Sequence, residues 1–256
     1  MRILLCLVLI CFHFNTVKAQ YTEAPDTNRQ FIKFETKEFK PEKSSLTKRI
    51  IPVTLITAGI LLSTSNFEKS LQKNIRNAVG NDFYSGIDDY TRYAPVVEMY
   101  AADILGVPSK NHWFDQTKNL ILSSIISNGV STLLKKEVHK YRPGGSDHAN
   151  SFPSGHTTTA FTTASVLFEE FKNTSPILAY SGYAFAVTTA SLRLANNMHY
   201  LSDVLVGAGI GILATKLVYQ LDHLIAWNPF KKMNGIAFAP QYSDDSGLGF
   251  YFSKTL

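Results

Sequence analysis

Cysteine is nearly absent from this chain. Cys6 and Cys11 are the only two in 256 residues, and both fall in the first twenty positions. There, Arg2, the apolar run 3–12 and the small-residue ending Val17-Lys18-Ala19 read as a secretory signal cut after Ala19. Its removal would leave a chain without a thiol, which excludes both a disulfide framework and a thiolate nucleophile. Charge is scarce as well: 18 % of residues are charged against 45 % hydrophobic, and the mean hydropathy is −0.02. That is more apolar than an ordinary soluble enzyme and less apolar than a polytopic transporter. Without Arg2 and Lys18, 23 basic side chains face 20 acidic ones, an excess that suits ordinary solubility or attraction to an anionic substrate or membrane surface. No internal repeat or low-complexity tract is present. The scattered His, Asp and Glu residues lack metal-ligand spacing, so neither a metal nor another cofactor is expected, nor is a nucleic-acid partner.

What the chain does have is helical periodicity. Residues 20–49 form a polar, Lys-rich leader without an apolar stripe. Apolar stretches then recur at about 50–65, 93–107, 117–138, 157–171, 176–192 and 203–226, separated by Gly, Pro, Asn and Asp. This predicts an all-α bundle of about six helices over residues 50–228. Strand alternation comes only in the tail, 229–256, where 235–238 and 248–252 flank Asp244-Asp245-Ser246-Gly247 and predict a small β-hairpin. Stretches 50–67 and 173–192 are long enough to reach across a membrane, but buried globular helices explain them equally well. Both a partly inserted bundle and a soluble periplasmic one remain open.

Three short blocks carry chemistry. In the first, Lys135 and Arg142 are seven residues apart, two helical turns, and Pro143-Gly144-Gly145 stops the helix. In the second, Ser151-Phe152-Pro153-Ser154-Gly155-His156 precedes a Thr-rich helix start. First-turn amides lack intrahelical acceptors, so such a start is a ready anion site, with His156 in the same turn. In the third, Arg193 ends an apolar stretch, and His199 and Asp203 follow four residues apart, so the carboxylate can hold one imidazole nitrogen. Between the first two blocks lies Asp147-His148, in a position to touch a leaving group. His139 reads as surface, and Asn111-His112-Trp113-Phe114 as the entry to a helix.

Together, Lys-x6-Arg-Pro, Pro-Ser-Gly-His and Arg-x5-His-x3-Asp, in that order, resemble the type 2 phosphatidic acid phosphatase and vanadium haloperoxidase superfamily. The resemblance spans Lys135 to Asp203 and is complete at the functional positions. One departure is Leu192, where the family often has Ser.

The resemblance implies a helical bundle of that kind and a metal-free phosphate site. Lys135, Arg142 and Arg193 would neutralise the phosphoryl oxygens, and the amides around Ser154 and Gly155 would complete the cradle. His199 would attack phosphorus, Asp203 would orient it, and His156 would protonate the leaving oxygen and then activate water. It implies an exported, membrane-associated phosphatase of the bacterial envelope, facing the periplasm, with a phosphorylated lipid as first choice of substrate: phosphatidate, undecaprenyl diphosphate or a lipid A phosphate. Two rivals are a vanadium-dependent haloperoxidase and a non-catalytic phospholipid-binding envelope protein.

Overall fold

The computed structural model describes residues 47–145, 149–225, 227–229, 236–243 and 247–254. The expected signal segment, the leader up to residue 46, and Asp147 and His148 lie outside these residues.

Helices α1 (Thr47–Leu62) and α2 (Asn66–Val79) meet at an angle of 93°. Thr64 takes φ 67° at the break, and Ser65 caps α2 by accepting from the Glu68 amide. The Glu68 carboxylate reaches back to the Thr64 amide at 2.8 Å. These side-chain caps favour a new helix over continuation of the old one, so the stretch expected to run from 50 to 67 ends at Leu62. Next come α3 (Asp88–Thr91), a single turn, and α4 (Ala94–Ile104), with Pro95 in its first turn. Helix α5 (Trp113–Glu137) has 25 residues and is about 37 Å long. Helices α6 (Gly155–Phe171), α7 (Pro176–Ala195) and α8 (Leu201–Leu221) complete an all-α bundle. Eight helices are present among the described residues, against about six expected. The two extra ones, α2 and α3, are polar and carry no continuous apolar run. Strands β1 (Ile236–Ser243) and β2 (Gly247–Lys254) pair antiparallel, with Phe238 opposite Phe252.

Helix α8 is central and packs on α1, α5 and α6. Its glycines make that packing close. A Cβ at Gly207 would fall 2.7 Å from the Ser154 carbonyl oxygen, and one at Gly209 would fall 2.8 Å from that of Pro52. The first contact sets the start of α6 against the start of α8, where the Ser154 amide donates to the Asp203 carbonyl at 2.9 Å. Apolar clusters flank this junction: Leu134, Phe152, Val206 and Ile210 on one side, and Ala160 and Ala164 further along α6 with Ala186 of α7.

The seam between α5, α6 and α8 is polar and small-residued. Ser123, Ser127 and Ser131 are buried there, and the Thr162 hydroxyl donates to Ser127 at 2.9 Å. Large apolar side chains face outward instead: Ile121, Ile125 and Leu133 on α5, Ile177 and Val187 on α7. Among the described residues, one continuous segment, Leu201–Leu224, is long and apolar enough to cross a membrane, and 72 % of its apolar window is buried inside the bundle.

Candidate active site

The junction of α6 and α8 brings the three sequence blocks together. Lys135 sits in the last turn of α5, and its Nζ donates to the Asn150 carbonyl at 2.8 Å. Arg142, in the following loop, donates from Nε to Asn150 Oδ1 at 3.0 Å, so one residue steadies both cations. Gly155 opens α6 beside Lys135: a Cβ there would lie 3.9 Å from Lys135 Cε. Arg193, in the last turn of α7, is buried and donates from Nη1 to Asp88 Oδ2 at 2.7 Å, while its buried Nε has no hydrogen-bond partner among the described residues. Burial, then repulsion from Arg142 and Arg193 against attraction from Asp203, lowers the Lys135 ammonium to about 8. Arg142 is pushed down by burial and then by Arg193. Three cations therefore press on one another around the first turn of α6, an arrangement that favours an anion of high charge.

Ser154 plays a narrower part than its position in the second block suggests. Its hydroxyl caps α6, accepting from the Thr157 amide at 3.4 Å and the Thr157 hydroxyl at 2.9 Å. Its own amide is committed to the Asp203 carbonyl. The first-turn amides of Gly155 and His156 are the ones that the helix geometry leaves open toward the cations.

His199 is 2 % exposed, at the loop between α7 and α8. Its Nδ1 stands 3.5 Å from Asp203 Oδ2 and 3.4 Å from the Ser151 hydroxyl. Burial lowers the imidazole to about 4, against the opposing pull of Asp203. It is thus neutral at ordinary pH. Asp203 is fully buried and ringed by donors: Ser151 Oγ at 2.5 Å, Lys140 Nζ at 2.9 Å and the Tyr200 amide at 2.9 Å. Burial raises its carboxyl, but His199, Lys140 and Ser151 together outweigh that and bring it to about 2.

His156 sits in the first turn of α6, and its Nε2 is 2.7 Å from Asp89 Oδ1. Burial lowers its pKa; the Asp89 hydrogen bond opposes this, and Arg193 adds to it. Two imidazoles thus occupy different settings, one sealed and neutral, the other half-exposed with a carboxylate at its back. Such a pair can divide nucleophilic and proton-transfer work.

Several supporting residues escaped the sequence reading. Glu68 Oε1 and Lys140 Nζ are 3.0 Å apart, both buried, and Lys140 also donates to the Ser202 hydroxyl at 2.6 Å. Asp88 and Asp89 come from α3. Asn150 precedes the second block, and Ser151 opens it. The Glu68 signal was present, because Ser65-x-x-Glu68 has the spacing of a helix-start box. His139 is exposed, as expected, and His112 caps α5 by accepting from the Phe114 amide. Among the described residues, no group of three or more His, Cys, Asp or Glu side chains gathers where a metal could bind.

Residues 116–226 match the model of the PAP2 superfamily. The lipid A 1-phosphatase of Porphyromonas gingivalis is 31 % identical over 191 residues, covering 74 % of this chain and 41 % of that protein. The chain thus spans about two fifths of the length of that curated relative. Among solved structures, Aquifex aeolicus LpxE aligns at 22 % identity and a TM-score of 0.43, covering 58 % of this chain and 93 % of its own. A transmembrane PAP2 type phosphatidylglycerolphosphate phosphatase from Bacillus subtilis aligns at 18 % and 0.45, covering 69 % and 98 %.

Proposed function

We propose that this chain, whose residues 116–226 match the PAP2 superfamily model, is a member of that superfamily and a metal-independent lipid phosphate phosphatase working through a phosphohistidine. One observation carries the reading: a sealed, neutral imidazole, His199, is backed by the carboxylate of Asp203 beside a cluster of three cations.

The steps follow from the groups present. Lys135, Arg142 and Arg193 hold the phosphoryl oxygens, with the first-turn amides of α6 completing the cradle. His199 attacks phosphorus through Nε2, because Nδ1 is turned toward Asp203. The bond from phosphorus to the leaving oxygen breaks, and His156 supplies that oxygen with a proton. Asp203 offsets the positive charge gathered on His199. His156, now neutral, takes a proton from water, whose oxygen attacks phosphorus and releases phosphate.

Export and the envelope belong to the same proposal, through the signal-like start at residues 1–19. Membrane association is supported by the outward Ile and Val side chains over a Ser- and Thr-lined interior, since apolar outer surface of this kind meets lipid. A phosphorylated amphiphile is therefore the proposed substrate. Purified protein assayed with EDTA against lipid and soluble phosphates tests this. Turnover that resists chelation and is inhibited competitively by vanadate supports it; activity lost with EDTA and restored by a divalent metal refutes it.

A further inference from the structure

A second basic region adjoins the catalytic loops and has no part in the mechanism above. A cavity of about 280 Å³ opens between α2 and the loops that carry Arg142 and His199. Lys69, Lys73 and Arg76 of α2 line one wall. Pro143, Asn197 and Tyr200 line the other. Pro143 follows Arg142 directly, and Tyr200 follows His199, so the cavity is one residue removed from the reacting groups along two separate loops.

Its chemistry is one-sided. No carboxylate lines it, and among the described residues Lys69, Lys73 and Arg76 form no ion pair. The Arg76 guanidinium donates to the carbonyls of Phe83, Ala195 and Asn81, all neutral acceptors that fix its place and leave its charge unbalanced. Buried Gln72 is tied to the Leu194 carbonyl at 2.9 Å and to Asn197 Oδ1 at 2.8 Å. The floor is therefore held rigidly to the end of α7 and the loop before His199, while two exposed lysines stand at the rim. Spacings of four and three residues place 69, 73 and 76 on one face of α2. A face kept cationic without acidic neighbours repels itself unless an anion visits it.

We propose that this cavity is a subsite for a second phosphate group carried by the same substrate molecule. The inference rests on the phosphatase reading and narrows it to a bisphosphorylated amphiphile: one phosphate reacts at His199, and the other is held by Lys69 and Lys73 over the fixed charge of Arg76. The subsite contributes binding energy remote from the reacting bond, and so sets which phosphates are chosen.

The test uses two synthetic amphiphiles with the same chains, one bearing one terminal phosphate and the other two phosphates joined by a spacer, in neutral detergent micelles. The full-length wild type should prefer the bisphosphate about tenfold in kcat/KM, through KM, the size of one charge-assisted contact. In Lys69→Ala/Lys73→Ala, exposed positions whose replacement leaves the core untouched, the preference should fall to about one. No preference in the wild type, or an equal loss on both substrates, overturns the proposal. Adding phosphatidylglycerol to the micelles separates the other source of the same chemistry: if it lifts monophosphate turnover to the bisphosphate level, the cavity reads a neighbouring lipid and the same-molecule subsite is wrong. If the wild type hydrolyses neither amphiphile, the phosphatase reading falls by itself. Calorimetry then decides the subsite alone: a bisphosphate Kd raised about tenfold by the double substitution upholds it, and an unchanged Kd refutes it.

Discussion

Lys140 Nζ lies 2.9 Å from Asp203 Oδ1, in a pocket where both side chains are buried and Glu68 closes the other side of the ammonium at 3.0 Å. Glu68, Lys140 and Asp203 come from three separate segments, and the last of them backs the proposed nucleophile. The carboxylate that orients His199 is thus itself held by a cation outside the three motif positions.

Lys140→Met should be costly on two measures. It leaves two buried carboxylates without their shared cation, a loss on the order of 3–5 kcal/mol by thermal or urea unfolding. Asp203 should also bind protons more readily, so the acid limb of kcat/KM moves to higher pH. Lys140→Arg should restore part of both. An unchanged melting temperature and pH profile in Lys140→Met would show that the pair positions nothing.

The depressed pKa values fix the sign of the acid response. Asp203, at about 2, contributes stability above the unfolded carboxylate value of about 3.9, lost as pH falls toward 2. His199, at about 4, binds fewer protons folded than unfolded, so stability drops as pH falls from about 6.5 to 4. The second fall should be shallower in His199→Gln. In the wild type, the His199 ring resonances should titrate well below the ordinary imidazole value of about 6.5. Titration of His199 near 6.5 would contradict the sealed setting.

Arg193→Ala and Arg142→Ala should each reduce kcat by at least about a hundredfold, the scale of one preorganised oxyanion donor. Arg193→Ala also strands Asp88, so the stability of that variant should be measured alongside its rate. Wild-type kinetics in either variant would remove that residue from the site.

Asp89→Asn tests the proton donor separately. Asp89 is exposed and touches His156 through one hydrogen bond, so the fold should survive the change. Without the carboxylate, His156 should hold its proton less well. Alkyl phosphates, which need a protonated leaving oxygen, should slow more than p-nitrophenyl phosphate. Equal slowing of both would assign His156 another task.

Much of the site was legible in the sequence because its reacting residues come in three compact blocks. Lys135, Arg142, His156, Arg193, His199 and Asp203 could all be named from spacing and resemblance, and the structure brings these blocks to one junction. The residues that steady them were harder to read. Asp88, Asp89 and Lys140 act across distances of 63 to 105 residues in the chain, as single positions with no local pattern. Helices α2 and α3 were missed because neither carries a continuous apolar run: α3 is a single turn, and the apolar side chains of α2 are spread among polar ones. Phe67, Leu71, Ile75 and Val79 nevertheless recur every four residues behind the Ser65 cap, a pattern that marks α2. The resemblance gives the amides around Ser154 and Gly155 to the phosphate, and the closeness of α6 to α8 at Gly207 engages the Ser154 amide with the Asp203 carbonyl.

The central claim is that His199 carries the phosphoryl group, and rapid-quench labelling tests it most directly. With p-nitrophenyl phosphate, whose leaving group needs little protonation, His156→Ala should still phosphorylate His199 but hydrolyse the intermediate slowly, and so accumulate acid-labile, base-stable phosphate there. His199→Ala should accumulate none. Phosphate trapped on His199→Ala, or found on a serine in either variant, would contradict the account.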